Sequence, residues 1–170
     1  MFMKKIILSG LFILTSSLVI AQYVSGTSKL TSGKYIDKNA TTIQSWLEYD
    51  WYLSHLLEKD SSVSALPDTA LFYSVYGVQY RDVKHVLDLN NTFKNRPMVG
   101  LSYEQCVAFC KWRTIMYQAP KGSTVTFSLP SSDDLIKFMG ENAQTELTEY
   151  CSDNPESTQG SFRCMANVHK

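Results

Sequence analysis

Cysteine is the residue type in this chain with the most chemistry to offer. The four cysteines are Cys106, Cys110, Cys151 and Cys164. As thiolates, such residues can form a redox centre or bind copper. As oxidised pairs they form two disulfides, and four cysteines allow three pairings among which the sequence alone does not choose. An export signal at the start of the chain favours the disulfide interpretation.

Met1 to Ala21 has the features of a secretory signal peptide. Lys4 and Lys5 supply the charged start, and the apolar run from Ile6 to Ile20 ends beside the small residue Ala21. A retained membrane anchor is the alternative, but polar residues interrupt a run that is already short for a bilayer span. We therefore predict an exported chain, located in the periplasm, at the cell surface or outside the cell.

Length and charge narrow the classes of partner. A chain of 170 residues suggests one domain, so we predict a signal peptide over 1–21, a flexible lead-in over 22–33 and one compact domain over 34–170. Removal of the leader leaves 14 basic and 16 acidic residues, a formal charge of −2. This charge offers no electrostatic footprint for nucleic acid, and no second apolar run is long enough to span a membrane.

The two central cysteines lie on a predicted amphipathic helix. Ser102 is a natural N-cap, and Gln105 three residues later completes a capping box. Cys106 and Cys110 are four residues apart, so both thiols lie on the same buried face of the helix. We predict that the C-terminal segment is tied to this helix.

The other elements follow from apolar periodicity and from capping residues. They are a short strand at Lys34–Asp37, a helix capped by Thr41, a strand at Thr124–Leu129, a helix that starts after Ser131 and ends at Gly140, and a final strand at Ser161–Met165. This order predicts an α+β fold with short antiparallel strands and about three helices.

Other residue types that bind metals form no recognisable site. The histidines are scattered, without the spacing of metal ligands, at His55, His85 and His169. A group of acids suggests calcium, but a solvated helix start explains it better; these are Asp133, Asp134, Glu141 and Glu146. We therefore expect no metal and no cofactor.

Arg163 lies inside an otherwise apolar strand. A buried charge needs a partner, so we predict that Arg163 pairs with a carboxylate such as Asp153 or Glu149 and serves packing. The aromatic residues of the first helix are expected to form core and edge contacts rather than a ligand cage; they are Trp46, Tyr49, Trp51 and Tyr52.

Several of these segments occur in the order of a known family. They are Tyr35-Ile-Asp37 leading through Thr41 and Thr42 into a helix, the run from Pro97 to Trp112, Phe127-Ser-Leu-Pro130, Thr148-Glu-Tyr150 with Ser152-Asp153, and Gly160-Ser-Phe-Arg-Cys164. Over roughly residues 34 to 166 the chain resembles the formylglycine-generating enzyme (sulfatase-modifying factor) family. This resemblance implies a variant C-type-lectin-like fold. The Cys-Lys-Trp-Arg-Thr ending of the central helix is most similar to the gliding-motility and type IX secretion lipoproteins of Bacteroidota.

The resemblance also bears on the cysteines. Family members pair the cysteines that correspond to Cys110 and Cys164, which leaves Cys106 and Cys151 as the second pair. Catalytic members hold copper with paired cysteines in a long segment before the final Gly-Phe-Arg-Cys. Here twelve residues separate Cys151 from Cys164, and none of them is Cys or His. The resemblance therefore implies a catalytically silent member.

Three functional hypotheses follow. The favoured one is a non-catalytic structural or interaction module of the bacterial envelope, with an envelope protein as partner. The second is a cysteine-dependent copper oxidase with a rearranged site around Cys106, Cys110 and Cys151. The third is a lectin-like ligand binder that uses the exposed aromatic residues between Trp46 and Tyr52.

Overall fold

The computed structural model describes residues 24–55, 64–85, 91–140, 150–151 and 160–169. The predicted signal peptide over 1–21 lies outside these residues. A four-stranded sheet has the order β1-β2-β6-β3, and a two-stranded parallel pair joins β4 to β5. The strands are β1 Thr27–Thr31, β2 Lys34–Asp37, β3 Thr124–Ser128, β4 Tyr150–Cys151, β5 Ser161–Phe162 and β6 Met165–His169.

The architecture is α+β, as the sequence predicts. The helices are α1 Ile43–His55, α2 Thr69–Tyr76, α3 Tyr80–His85, α4 Tyr103–Met116 and α5 Ser132–Met139, and residues 91–93 are helical as well. The count within the described residues exceeds the predicted three because α2 and α3 are short helices in a stretch of mixed sequence signals. None of the helices in this part of the chain combines the length and the apolar character that crossing a bilayer requires.

Strand β1 lies where a flexible lead-in is predicted. Residues 27–31 pair antiparallel with β2, and Thr27 stands opposite Asp37. Gly33 closes the hairpin with a positive φ of 76°, a conformation that glycine adopts without steric cost. The prediction of a flexible 22–33 is therefore wrong for residues 27–31, because a polar Ser/Thr segment also suits the edge of a sheet.

Strand β6 lies between β2 and β3 and pairs antiparallel with both. Ala166 is flanked by Tyr35 on one side and by Phe127 on the other. The predicted final strand at Ser161–Met165 is wrong in its bounds, because the chain leaves extended pairing at residues 163 and 164. These two residues bond to the end of β2 instead, as described below.

The start of α4 confirms the predicted capping box. The Ser102 hydroxyl accepts from the Gln105 backbone N–H at 3.3 Å, and the Gln105 side chain accepts from the Ser102 N–H at 2.8 Å. The Gln105 amide nitrogen also donates to the carbonyls of Ser64 and Leu66 at 2.7 and 2.8 Å. One side chain therefore fixes both the helix start and the segment that leads into α2.

The predicted caps of α5 and α1 can be compared with the ends of these helices in the structure. Ser131 caps α5 and Gly140 ends it with a positive φ, as predicted. Helix α1 starts one residue later than predicted, because the Thr42 hydroxyl accepts from the Ser45 N–H at 3.2 Å. Thr42 therefore takes the capping role expected of Thr41, which leaves the Thr41 hydroxyl without it.

Aromatic rings join α1 to α4 in the core. Trp46 stacks on Phe109 at 5.6 Å between ring centroids, and Phe109 meets Phe162 edge-on at 5.3 Å. Trp46 and Tyr49 are buried, whereas Trp51 is 55 % exposed. The prediction of core packing is therefore confirmed for Trp46 and Tyr49, whereas Trp51 lies on the surface.

A second buried contact joins α1 to α3 through a charge. Asp50 is 7 % exposed and accepts hydrogen bonds from the Tyr80 hydroxyl at 3.1 Å and from the Lys84 ammonium at 2.7 Å. Burial raises the pKa of Tyr80, and the neighbouring Asp50 carboxylate raises it further. Tyr80 therefore stays protonated and remains a donor to Asp50.

Candidate functional site

The cysteines converge between α4 and the C-terminal segment. Cys106, Cys110 and Cys164 are each at most 1 % exposed, and the Cys110 and Cys164 sulfurs lie 3.1 Å apart. Burial raises the pKa of the Cys110 thiol well above its ordinary value, and the neighbouring cysteines reinforce this effect. The structure thus brings together the two cysteines that the family resemblance pairs. Their disulfide stays a prediction.

The backbone of Cys151 lies in the short strand β4. It pairs in parallel with β5, where Cys151 stands opposite Phe162. Phe162 in turn packs against Phe109 of α4. The Cys151 side chain lies outside the described residues, so the Cys106–Cys151 disulfide also stays a prediction.

Asp37 at the end of β2 forms a buried ion pair that sequence reasoning missed. Its carboxylate is 7 % exposed and accepts from both terminal nitrogens of Arg113, with Nη2 2.9 Å from Oδ1. It also accepts from the Cys164 backbone N–H at 3.1 Å, while its own N–H donates to the Cys164 carbonyl at 3.0 Å. The Asp37–Arg113 pair therefore joins the sheet, α4 and the segment that carries Cys164.

Arg113 remains a cation in this setting. Burial lowers the pKa of the Arg113 guanidinium, but the hydrogen bonds and charge of Asp37 outweigh it and raise the pKa overall. The guanidinium carbon also lies 4.3 Å from the centre of the Phe127 ring. A sequence signal existed, because Arg113 follows Cys110 by three residues and so lies on the same buried face of α4.

Arg163 contacts the same end of β2. Its Nη1 donates to the carbonyl of Asp37 at 3.2 Å and to the carbonyl of Lys38. Its guanidinium carbon lies 5.4 Å from the centre of the Phe138 ring. The predicted carboxylate partners, Asp153 and Glu149, lie outside the described residues, so the prediction of that ion pair stays open.

The structure also places the histidines and the acidic residues for which we expected no metal site. His55 is exposed and stacks on Trp51 with 4.7 Å between ring centroids, and His85 and His169 are exposed. Asp134 accepts from its own helix cap and forms an ion pair with Lys34 at 3.1 Å, while Glu141 and Glu146 lie outside the described residues. Among the residues that the structure describes, no group of three His, Cys, Asp or Glu could hold a metal ion.

A cleft of about 280 Å³ opens beside the Asp37–Arg113 pair. The loop between β2 and α1 forms one wall, and the second half of α4 forms the other. Besides Asp37 and Arg113, its lining includes Asn39, Thr41, Ser45, Glu48, Phe109 and Trp112. The cleft therefore combines two aromatic rings with hydroxyl, amide and carboxylate groups.

Two polar atoms of the cleft residues lack a hydrogen-bond partner in the part of the chain that the structure describes. They are the Thr41 hydroxyl oxygen and the Trp112 indole nitrogen, and both are buried. The Thr41 backbone is held firmly, since its N–H donates to Phe162 at 2.7 Å and its carbonyl accepts from Met98 at 2.8 Å. Sequence reasoning missed both atoms, because Thr41 was expected to cap α1 and Trp112 carried no separate signal.

Comparisons with known proteins do not identify a relative of this chain, so its function is inferred from the geometry described above. No protein-family model matches the chain, and no curated protein or solved structure shows significant similarity to it. The resemblance to the formylglycine-generating enzyme family therefore stays a prediction from the sequence.

Proposed function

We propose that this chain is an exported, non-catalytic interaction module of the bacterial envelope, with the variant C-type-lectin-like fold that its sequence resembles. The observation that carries the proposal is the burial of Cys106, Cys110 and Cys164. A copper-thiolate oxidase needs thiolates that metal, oxygen and substrate can reach. Here the cysteines are buried, and in the reduced chain burial raises the pKa of the Cys110 thiol, which disfavours its thiolate.

The chemistry of the cleft supports binding rather than reaction. Asp37 and Arg113 are ionisable groups of its lining, and they are bonded to each other. A carboxylate whose oxygens already accept from a guanidinium and from a backbone N–H is poorly placed to act as a general base, because those contacts occupy the oxygens that would take a proton from a substrate. Glu48 is exposed to solvent at the edge of the same cleft.

The surface also offers places for a partner protein. Large apolar side chains are exposed at the end of α4 and along α2; they are Ile115, Met116, Tyr73 and Val75. Exposed apolar surface of this kind is used in protein–protein contacts. Together with the signal-peptide features, it supports an envelope partner, and the sequence resemblance favours a gliding or type IX secretion complex.

The proposal is tested with the non-reduced protein purified from a periplasmic expression. Mass mapping of its peptides should find Cys110 linked to Cys164 and Cys106 linked to Cys151, with no free thiol. The same preparation should not turn over a thiol-bearing peptide in the presence of copper and oxygen. Turnover would contradict the proposal. Recovery of a stable protein complex from the native envelope with the tagged chain would support it.

A cysteine-dependent copper oxidase is the second candidate. The hypothesis places its site around Cys106, Cys110 and Cys151. The observation that favours a thiolate cluster is that Cys106 and Cys110 lie one helical turn apart, with the Cys164 sulfur 3.1 Å from that of Cys110. Stoichiometric binding of copper(I) by the reduced chain would favour the oxidase if Cys110→Ser abolished it. The control, Ser74→Ala at the surface of α2, should retain the binding. The absence of such binding would leave the cysteines a structural role.

A further inference from the structure

We propose that the cleft between the β2–α1 loop and the second half of α4 binds a neutral sugar of one or two rings. The inference deepens the proposed function, and it rests on that function in requiring binding without turnover. It differs from a lectin-like site on the exposed aromatic residues of α1, because the cleft is lined by Thr41 and Trp112 and not by Trp51.

The unpartnered atoms carry the proposal. The Thr41 residue is 6 % exposed, and its hydroxyl has no hydrogen-bond partner in the described part of the chain. The Trp112 indole N–H is in the same condition. Leaving a buried polar group unpaired is costly, so two such groups on residues that line one cleft point to an external partner.

The type of each group limits the chemistry of that partner. An indole N–H can only donate, whereas a threonine hydroxyl donates one hydrogen bond and accepts others. A ligand hydroxyl satisfies both needs, because it accepts from Trp112 and exchanges hydrogen bonds with Thr41. Asn39 and Ser45 add further amide and hydroxyl groups to the same lining.

The charges of the cleft favour a neutral ligand. Arg113 is neutralised by Asp37, so it offers little attraction to an anion. Glu48 adds one negative charge at the edge, which repels an anion further. An ammonium group is disfavoured at the unpartnered atoms too, because it only donates and cannot accept from the Trp112 indole N–H.

Size and shape point to one or two sugar rings. The volume of about 280 Å³ lies just below the usual range for ligand pockets, roughly 300–1,000 Å³, so the ligand must be small. Phe109 and Trp112 place aromatic rings in the lining, and their ring centroids are 5.2 Å apart. A sugar offers an apolar ring face to such side chains and hydroxyls to the polar groups around them.

Binding requires a small rearrangement. Both unpartnered atoms expose less than 1 Å² in the free chain. Rotation of the Thr41 side chain between its staggered positions turns the hydroxyl towards another direction without moving the backbone. Trp112 is half-buried, so a tilt of its ring changes its exposure and its fluorescence.

The test titrates the full chain, in its oxidised form, with defined sugars by calorimetry and tryptophan fluorescence. The probes are the methyl glycosides of glucose, galactose, mannose and N-acetylglucosamine, together with maltose, cellobiose and chitobiose. Glucuronate, glucosamine and trialanine serve as an anionic, a cationic and a peptide probe. We expect at least one neutral sugar to saturate the chain with a millimolar or lower Kd. That sugar should bind at least threefold more tightly than glucuronate, glucosamine and trialanine.

Two conservative variants locate the site. Thr41→Val removes the hydroxyl and Trp112→Phe removes the indole N–H, and each should weaken binding of that sugar about three- to tenfold. The matched controls are Thr124→Val on the exposed start of β3 and Trp51→Phe on the surface of α1. Both controls should bind within twofold of the parent chain, and Trp51→Phe also tests the aromatic surface of α1.

The outcomes separate this inference from the proposed function. Saturation by no neutral sugar, tighter binding of trialanine or of a charged probe, or binding unaffected by both cleft variants would overturn the sugar site. None of these results would contradict the proposal that the chain is a non-catalytic interaction module. Chemical conversion of the bound sugar, seen by nuclear magnetic resonance, would contradict the proposed function while leaving the site in place.

Discussion

Asp37 and Thr41 lie four residues apart on the same connection, and they are buried to almost the same degree, at 7 % and 6 % exposed. The Asp37 carboxylate accepts hydrogen bonds from Arg113 and from Cys164, whereas the Thr41 hydroxyl has no partner among the described residues. Burial alone therefore does not reveal what a polar side chain does. The saturated group stabilises the fold, and the unsaturated one is available to a ligand.

The same contrast occurs between two adjacent residues of α4. Arg113 uses both of its terminal nitrogens on Asp37, while the neighbouring Trp112 indole N–H has no partner in the described part of the chain. Variants of the paired groups should destabilise the chain, and a variant of an unpaired group should not.

The largest effect is expected for Asp37→Asn. The variant leaves the Arg113 guanidinium buried without its counter-charge, and such losses cost about 3–5 kcal/mol. Urea unfolding measures the change in the free energy of unfolding. The control is Asp133→Asn on the exposed side of α5, which should cost less than about 1 kcal/mol. Equal costs for the two variants would show that the ion pair does not stabilise the fold.

A smaller effect is expected for Tyr80→Phe. It removes the hydroxyl that donates to the buried Asp50 carboxylate, and hydrogen bonds to charged groups contribute about 1.5–3 kcal/mol. The loss should lie at the lower end, because Lys84 still contacts Asp50 at 2.7 Å. Thermal and urea unfolding measure it, with Tyr73→Phe on the exposed face of α2 as the control. If Tyr80→Phe lowered the free energy of unfolding no more than Tyr73→Phe does, the hydrogen bond from Tyr80 to Asp50 would not stabilise the fold.

The Lys34–Asp134 pair should give a still smaller, pH-dependent effect. Burial raises the pKa of Asp134, but hydrogen bonds from Ser131 and the charge of Lys34 outweigh it and lower the pKa overall. Because the folded pKa lies below the unfolded value of about 3.9, this stabilisation is complete above about pH 5 and is lost as the pH falls through the folded pKa.

That contribution should be below about 1 kcal/mol, since the Lys34 side chain is 43 % exposed. Urea unfolding of the parent chain and of Asp134→Asn at pH 6 and at pH 2.5 measures it. The difference between the two proteins should shrink at the lower pH. A difference that is constant with pH would assign the effect of the variant to the helix cap alone.

The smallest effect is expected for Thr41→Val, and its sign is the informative part. The hydroxyl that is removed makes no hydrogen bond within the described chain, so the free energy of unfolding should stay the same or rise by up to about 1 kcal/mol. Thr124→Val on the exposed β3 is the control. A loss above 1 kcal/mol would show that the Thr41 hydroxyl is paired within the protein, and the contrast with Asp37 would disappear.

Local patterns in the sequence were sufficient to predict several elements. The Ser102–Gln105 capping box, the β2 strand, the alternating β3 strand and the Ser131 and Gly140 caps all follow from residues within a few positions of one another. Their chemistry is local, so the sequence displays it directly. The α+β class follows from the order of these elements.

The features that sequence reasoning missed depend on distant residues. Asp37 and Arg113 are 76 positions apart, and neither position indicates the other until the sheet and α4 are packed. The unpaired state of Thr41 depends on Thr42 taking the helix cap, a shift of one residue that propensity alone does not resolve. Polar composition concealed β1, because it is the pairing with β2 that gives this segment its structure.

The position of β6 in the sheet has a consequence for biogenesis. Met165–His169 separates β2 from β3, so those two strands cannot join one sheet until residues 165–169 have been synthesised. Until then each presents an open edge that can pair with other chains. The facing edges of β2 and β3 therefore stay open to association with other chains until β6 pairs with both.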